Sequence, residues 1–158
     1  MSDEPGGFRS KTGVRVRFVM DTSALIRYLV RPGAAIKELI EVLWLGDRIE
    51  MVTCPELLTE LEGVLKRDYI LALIQPAEAL VLLDAIRRKA EFLPSLGTMP
   101  PYTRDRKDDK FVACAVAGSV DCVITVDKDL LDLETLVGIQ LLAPYRFLEL
   151  YRAGHGQT

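Results

Sequence analysis

The sequence predicts an α/β protein with three layers, in which helices cover both faces of a central parallel sheet. Short apolar runs rich in β-branched residues alternate with stretches of helical periodicity along the chain. Two of these runs, residues 14–20 and 121–126, are apolar enough to be buried on both faces of a sheet. Strands that alternate with helices favour parallel pairing through right-handed connections.

The first predicted strand, residues 14–20, begins with alternating polar and apolar side chains and is wholly apolar where it approaches Asp21. Periodicity, caps and breakers predict the remaining elements in order. These are helices Ser23–Tyr28 and Ala34–Leu45, strand Ile49–Cys54, helices Glu56–Lys66 (opened by Pro55), Asp68–Ile74 and Pro76–Glu91, a brief strand Glu91–Pro94, an extended loop Ser95–Arg106, a helix from Asp108 or Asp109 to Gly118, strand Asp121–Val126, a helical turn Lys128–Leu133, strand Gly138–Leu142 and helix Pro144–Tyr151.

The chain has 158 residues, which is enough for one domain with a proper core. We expect a flexible polar tail over residues 1–13, one domain over residues 14–153 and a second tail over residues 154–158. No run approaches the roughly 18 uninterrupted apolar residues that cross a membrane. The three cysteines, Cys54, Cys114 and Cys122, have no metal-site spacing, which favours reduced core thiols and a cytoplasmic location.

The residue inventory restricts the chemistry that the chain can perform. The single histidine, His155, lies in the expected C-terminal tail, so nucleophilic schemes that pair serine or cysteine with histidine have no base. Hydrolysis would therefore depend on carboxylates.

The net charge of −3 argues at first sight against a nucleic-acid partner. Basic and acidic residues nevertheless interleave in one stretch, which contains Arg104, Asp105, Arg106, Lys107, Asp108, Asp109 and Lys110.

Acidic residues fall at four places that the predicted fold brings to one edge of the sheet. Asp21 and Asp127 each end a buried strand, and parallel strands end on the same edge. Asp108 or Asp109 begins the helix before the Asp127 strand, and we expect Asp108 to cap it while Asp109 projects toward the other acids. Glu60 lies on the second turn of a helix that starts at this edge, although Glu56 has the same facing. Each acid alone could serve as a cap or an exposed side chain.

Carboxylates gathered within several ångströms repel one another by an amount on the order of 1–4 kcal/mol per pair at effective dielectrics of roughly 80 to 20. An all-oxygen acidic site is what Mg²⁺ or Mn²⁺ prefers. Such ions generate a hydroxide nucleophile and neutralise charge on a phosphodiester. The acidic cluster therefore predicts metal-assisted phosphodiester hydrolysis.

The motifs at these four places resemble those of the PIN domain, over about residues 15–150. The matching segments are the strand followed by Asp21-Thr22-Ser23, then Cys54–Leu61 with Glu60, then Asp105–Phe111, and then Thr125–Leu130. They are most similar to PIN domains described as toxin components of bacterial toxin–antitoxin pairs. The alanines 113, 115 and 117 match an alanine-rich helix of the family.

The resemblance implies an endoribonuclease that depends on Mg²⁺ or Mn²⁺, a sheet ordered 3-2-1-4-5, a homodimer, an RNA substrate and inhibition by a protein antitoxin. By position it implies Asp21, Glu60, Asp109 and Asp127 as the catalytic and metal-binding acids. Ser23 matches a small polar position, Asp129 a variable one, and the Asp108-Asp109 pair leaves an ambiguity that we resolve toward Asp109.

Other classes of protein fit less well. A haloacid-dehalogenase phosphatase needs a second aspartate where Ser23 stands, receiver domains need an acidic pair after the first strand, and the glycine motifs of dinucleotide-binding folds and P-loops are missing. The alternative that stays open is a PIN-like module that binds RNA or protein without turnover. Apolar side chains on helices Ala34–Leu45 and 55–74 exceed what one small core needs, which predicts self-association or an antitoxin surface there.

Overall fold

The computed structural model describes residues 15–97, 99–102 and 108–155, and it confirms the predicted fold class: a mostly parallel sheet flanked by helices. The strands are β1 (Val16–Met20), β2 (Ile49–Thr53), β3 (Glu91–Phe92), β4 (Cys122–Ile124), β5 (Thr135–Leu136) and β6 (Ile139–Leu142). The helices are α1 (Thr22–Val30), α2 (Ala34–Lys37), α3 (Pro55–Leu65), α4 (Asp68–Leu71), α5 (Pro76–Lys89), α6 (Asp109–Ala117), α7 (Lys128–Leu131) and α8 (Pro144–His155).

The sheet has the order β3-β2-β1-β4-β6-β5. β1 lies at the centre between β2 and β4, and all neighbours pair in parallel except β5 and β6, which are antiparallel. The five parallel strands follow the expected order 3-2-1-4-5, with β6 as the fifth. β5 is an additional edge strand that we did not predict. It forms because Val137 and Gly138 both adopt positive φ angles, 46° and 81°, and so close a two-residue turn into β6.

Apolar side chains form one cluster on each face of the sheet, as the three-layer prediction requires. Phe18 and Met20 belong to the larger cluster, which also contains Trp44 and Phe147. Val19 points to the opposite face and belongs to the smaller cluster. The three cysteines are free and buried, as expected. Among the described residues, no helix combines the length and the apolar character that crossing a membrane would require.

Several boundaries differ from the sequence-based expectations. The predicted helix Ala34–Leu45 begins as α2 but continues as a π-helical segment over Glu38–Trp44. α8 continues to His155, whose ring stacks on Tyr151 at 4.1 Å between centroids, so the expected C-terminal tail begins two residues too early. The N-terminal tail, residues 156–158 and the mixed-charge stretch 103–107 lie outside the described residues, and their expected character stays a prediction.

Arg17 connects several segments near the amino-terminal ends of the strands, on the opposite side of the sheet from Asp21. Its backbone N–H donates to Asp121 Oδ2 at 2.8 Å, and its guanidinium donates to Glu50 Oε1 at 3.2 Å, to Glu91 and to the Gly118 carbonyl at 2.8 Å. These contacts connect β1 with β2, β3 and the end of α6. The side chain is only 14% exposed, so this network holds the end of α6 against the central strands.

Gly118 and Gly63 should respond to alanine substitution in opposite directions. A Cβ atom at Gly118 would lie 2.9 Å from Val52 Cγ1 and 3.2 Å from both the Cys114 carbonyl oxygen and Leu93 Cδ1. A Cβ atom at Gly63, in α3, would meet no atom within 4 Å. We expect Gly118→Ala to lower the free energy of unfolding by about 1–3 kcal/mol through overpacking, and Gly63→Ala to raise it by about 0.5–1 kcal/mol. Urea denaturation of both variants measures this, and equal stability would contradict the packing described at Gly118.

Candidate active site

Asp21 and Asp127 lie at the carboxyl ends of the neighbouring parallel strands β1 and β4. The register pairs Met20 with Ile124, and the Asp21 N–H donates to the Ile124 carbonyl at 3.0 Å, so the two strands end level with each other. Both aspartates also cap helices: Asp21 Oδ1 accepts from the Ala24 N–H at 3.0 Å, and Asp127 Oδ1 accepts from the Asp129 N–H at 2.9 Å. Each cap uses one carboxylate oxygen, so capping leaves the second oxygen for other contacts.

Thr125 connects the two aspartates. Its hydroxyl donates to Asp21 Oδ2 and accepts from the Asp127 backbone N–H at 2.9 Å. The Ser23 hydroxyl donates to Asp21 Oδ1 at 2.8 Å and accepts from the Val126 N–H at 3.3 Å. Asp21 is therefore held in one orientation by hydroxyl groups from both strand ends, and Ser23 lies within the site as the predicted motif implied.

Asp21 is a buried carboxylate with a strongly perturbed pKa. The residue is 3% exposed, and its burial raises the pKa from 3.8 to about 6. The hydrogen bonds from Thr125, Ala24 and Ser23 lower the pKa, whereas the negative charge of Asp127 raises it further. The ionised form of Asp21 is thus disfavoured by its surroundings, and a bound cation would relieve that cost.

Glu60 reaches the same edge from α3 and contacts the neighbours of two other acids. The Thr22 hydroxyl donates to Glu60 Oε2 at 2.6 Å, and Lys110 forms an ion pair with Glu60 Oε1. Thr22 follows Asp21 in the chain, and Lys110 follows Asp109. Both oxygens of Glu60 therefore have partners, and the carboxylate lies between the segments that carry Asp21 and Asp109.

Asp109 is the first residue of α6 and is 2% exposed, which agrees with the expectation that it faces inward. Lys110, the next residue, pairs with Glu60 of α3, so α6 begins beside the segment that carries Glu60. The expectation that the Asp108 side chain caps α6 is wrong, because it makes no capping hydrogen bond. The backbone of Asp108 has φ −89° and ψ −11°, whereas a capping side chain requires an extended backbone at this position.

Glu56, the rival of Glu60 in the sequence, has a separate role. Its Oε2 accepts from the Leu96 N–H at 2.9 Å and from the Ser95 hydroxyl, whose hydrogen bond is the main cause that lowers the pKa of Glu56. Glu56 thus fixes the loop after β3.

A cleft of about 550 Å³ lies beside the acidic edge and is lined by Pro55, Glu56, Thr59, Glu60 and Lys110.

The acids at this edge fit a hard divalent ion by their donor chemistry. All available donors are carboxylate and hydroxyl oxygens, which suit Mg²⁺ and Mn²⁺, and Asp21 is a buried carboxylate that a cation would stabilise. As the side chains stand, no three acidic, histidine or cysteine side chains in the described part of the chain are grouped so as to hold an ion. The two oxygens of Glu60 are instead paired with Lys110 and Thr22.

Three residues of this edge received no role from the sequence. Thr125 and Thr22 supply hydroxyls to Asp21 and Glu60, and Lys110 supplies the cation that pairs with Glu60. A hydroxyl residue within two positions of the acid at a strand end is a signal that could have indicated the threonines. Lys110 is visible in the sequence only as part of a mixed-charge stretch, because its pairing with α3 is a long-range contact.

The described residues form a three-layer α/β domain in which two neighbouring parallel strands, β1 and β4, are followed by the acidic residues Asp21 and Asp127. The PIN domain family matches residues 17–129, and the chain belongs to this family, which confirms the predicted resemblance. PIN domains are in general nucleases.

A solved structure agrees with this assignment at the level of the fold. The chain is similar to the crystal structure of PAE2754 from Pyrobaculum aerophilum, with a TM-score of 0.54 and 17% sequence identity over 85% of this chain and 89% of that chain. At this identity the likeness concerns the fold alone. The comparison with curated proteins found no match.

Asp21→Asn should stabilise the metal-free protein at neutral pH. Because the pKa of Asp21 is raised from 3.8 to about 6 in the folded state, its contribution to the free energy of unfolding falls as pH rises from about 4 to about 6 and stays low above that range. Asparagine removes this loss, which is at most about 3 kcal/mol at 1.36 kcal/mol per pKa unit, and its amide can still bond the hydroxyls.

Melting temperatures of wild type and Asp21→Asn in chelator from pH 4 to pH 8 measure this difference. It should favour the variant at pH 7 and shrink toward pH 4. The exposed Asp84→Asn, which loses only a surface pair with Arg88, is the control and should show little change. If Asp21→Asn melts well below wild type at pH 7, capping of α1 outweighs the cost of the buried charge.

Proposed function

We propose that this chain is an endoribonuclease that hydrolyses RNA phosphodiester bonds at the edge formed by Asp21, Glu60, Asp109 and Asp127, with Mg²⁺ or Mn²⁺ as cofactor. The observation that carries the proposal is the buried Asp21 carboxylate beside Asp127, surrounded by hydroxyl donors and no basic side chain among its hydrogen-bond partners in the described residues. Such a site favours a bound cation, and membership of the PIN domain family directs the chemistry toward nucleic acid.

A bound divalent ion would supply a metal-activated water and neutralise charge on the phosphodiester. The protein's own residues prepare the site for this chemistry. Thr125 and Ser23 fix the orientation of Asp21, and the backbone N–H of Asp127 is held by the same Thr125 hydroxyl. This order reduces the reorganisation that the reaction requires. Proton transfer would depend on the carboxylates, since the chain's single histidine is at the distal end of α8.

A binding module without turnover is the second candidate. It is favoured by the ion pair between Glu60 and Lys110, which occupies one of the acids that metal-dependent cleavage would need. Such a module would bind single-stranded RNA equally well with and without divalent ions and leave the strand intact. Cleavage assays therefore separate the two candidates.

We further propose that the protein is the toxin of a toxin–antitoxin pair and that the antitoxin docks in an apolar groove between α1, the π-helical segment and α5. The groove has a volume of about 530 Å³, and its lining includes Trp44, Leu45, Leu73 and Val81. Leu45, Leu73 and Val81 are 41%, 58% and 69% exposed, which is unusual for clustered aliphatic side chains. An amphipathic helix would bury them as a helix-in-groove partner does.

Cleavage should require a divalent ion and Asp109 but not Asp108. With Mg²⁺ or Mn²⁺, wild type should cut single-stranded RNA, and excess chelator should abolish the cut. Asp109→Asn should lose most of the activity, at least about 100-fold, since it removes a charged oxygen from the buried edge. Asp108→Asn is the matched control next to it and should retain activity, because Asp108 is partly exposed and does not cap α6.

Metal titrations of RNA cleavage by the two variants give the answer. If Asp108→Asn is inactive and Asp109→Asn is active, the third acid of the site is Asp108 rather than Asp109. Undiminished cleavage in chelator would remove the metal from the mechanism. Intact RNA with every divalent ion, together with metal-independent RNA binding, would favour the binding module.

Two lysine substitutions, one in the groove and one on the opposite face of the sheet, test whether the antitoxin docks in the groove. Val81→Lys should abolish complex formation with the product of the neighbouring reading frame on co-purification, whereas Leu133→Lys, at an exposed position in the turn after α7, should not. Trp44, the only tryptophan, lines the groove and reports its occupation by fluorescence. If Val81→Lys instead converts a dimer of the isolated chain into a monomer in light scattering, a second copy occupies the groove.

A further inference from the structure

Lys110 lies inside the acidic edge. It follows the buried Asp109 on the first turn of α6, and its ammonium group pairs with Glu60 Oε1 across the gap between α6 and α3. The side chains of Lys110 and Glu60 are only 22% and 26% exposed, so the pair is shielded from solvent more than an ordinary surface ion pair. The remaining Glu60 oxygen accepts from Thr22, next to Asp21.

The position of this ammonium group has an electrostatic consequence. Asp21, Asp109, Asp127 and Glu60 bring negative charge to one edge, and Lys110 offsets part of it at Glu60. A divalent ion that binds Glu60 through Oε1 would displace this ammonium group, since Lys110 and the ion would compete for the same oxygen atom. Lys110 also lines the cleft beside this edge, together with Pro55, Glu56 and Thr59.

We propose that Lys110 is a substrate-positioning residue that exchanges Glu60 for an RNA phosphate. In the metal-free protein it holds Glu60, and when Glu60 turns to the metal ion, the ammonium group binds a backbone phosphate of the RNA strand in the adjoining cleft. This inference rests on the proposed metal-dependent action on RNA. It adds that metal binding and RNA binding are coupled through one side chain, so that RNA should raise the affinity for metal and metal the affinity for RNA.

The first measurement concerns the metal and needs no catalysis. Mn²⁺ titrations without RNA, followed by electron paramagnetic resonance of the free ion, should show that Lys110→Gln binds Mn²⁺ about fivefold tighter or better, because a unit positive charge a few ångströms away is removed. Lys110→Arg retains the charge and should resemble wild type. Lys89→Gln is the matched control, since Lys89 is 23% exposed and paired with Asp47 at the opposite edge of the sheet.

The second measurement concerns the phosphate. The affinity for a short single-stranded RNA is measured over a range of salt concentrations, with Ca²⁺ as the divalent ion and with the RNA checked for cleavage afterwards. Loss of one phosphate contact should make the slope of log K against log salt shallower by about 0.7 in Lys110→Gln. In chelator, where Lys110 stays with Glu60, wild type and Lys110→Gln should have the same slope. Lys110→Arg should restore the wild-type slope.

Each outcome decides the proposal. Unchanged or weaker Mn²⁺ binding by Lys110→Gln overturns the competition for Glu60, and an unchanged salt slope with Ca²⁺ overturns the phosphate contact. If Lys89→Gln changes the Mn²⁺ affinity and the salt slope by equal amounts, both effects result only from the change in net charge. If wild type cleaves RNA with Mg²⁺ while Lys110→Gln behaves as wild type in both measurements, only the role of Lys110 fails. If neither protein binds any divalent ion, the proposed function fails with it.

Discussion

The burial of one carboxylate, Asp21, at the end of the central strand is the constraint on which the rest of the site depends. The parallel register of β1 and β4 brings Met20 opposite Ile124 and thereby brings Asp21 and Asp127 to the same level. Burial makes the charge of Asp21 costly, and three hydrogen-bond donors from α1 and the end of β4 reduce this cost without removing it. A buried carboxylate of this kind gains more from a bound cation than an exposed helix-capping carboxylate would.

Charged side chains are arranged differently at the amino-terminal and the carboxyl-terminal ends of the strands. At the amino-terminal edge, Arg17 satisfies Glu50 and Glu91 and binds the Gly118 carbonyl, so cations and anions are matched and the strands are held together. At the carboxyl edge, Lys110 pairs with Glu60, whereas the hydrogen-bond partners of Asp21 are hydroxyl and backbone N–H groups. The first arrangement contributes to stability, and the second leaves the buried charge of Asp21 costly. This division explains why chemistry is expected where the strands end rather than where they begin.

Much of the fold and the placement of the acids could be predicted from the sequence, because both depend on local patterns. Apolar runs that end in aspartate locate β1 and β4, and Pro55 locates the start of α3. Contacts between distant segments could not be predicted. Glu56 and Glu60 share one helix face, and long-range contacts distinguish them: the loop at Ser95 and Leu96 returns to Glu56, whereas Lys110 pairs with Glu60. The backbone of Asp108 is another such case, since composition favours a cap that the local φ and ψ do not allow.

The net charge of −3 also acquires a physical meaning from this arrangement. Negative charge at the carboxyl edge opposes the approach of a polyanion such as RNA, so binding there is favoured when that charge is neutralised. Under the proposed exchange, a divalent ion at Asp21 and its neighbours would neutralise part of that charge, and Lys110 would turn from Glu60 to an RNA phosphate. Affinity for RNA would thus be highest in the metal-bound state in which cleavage is possible.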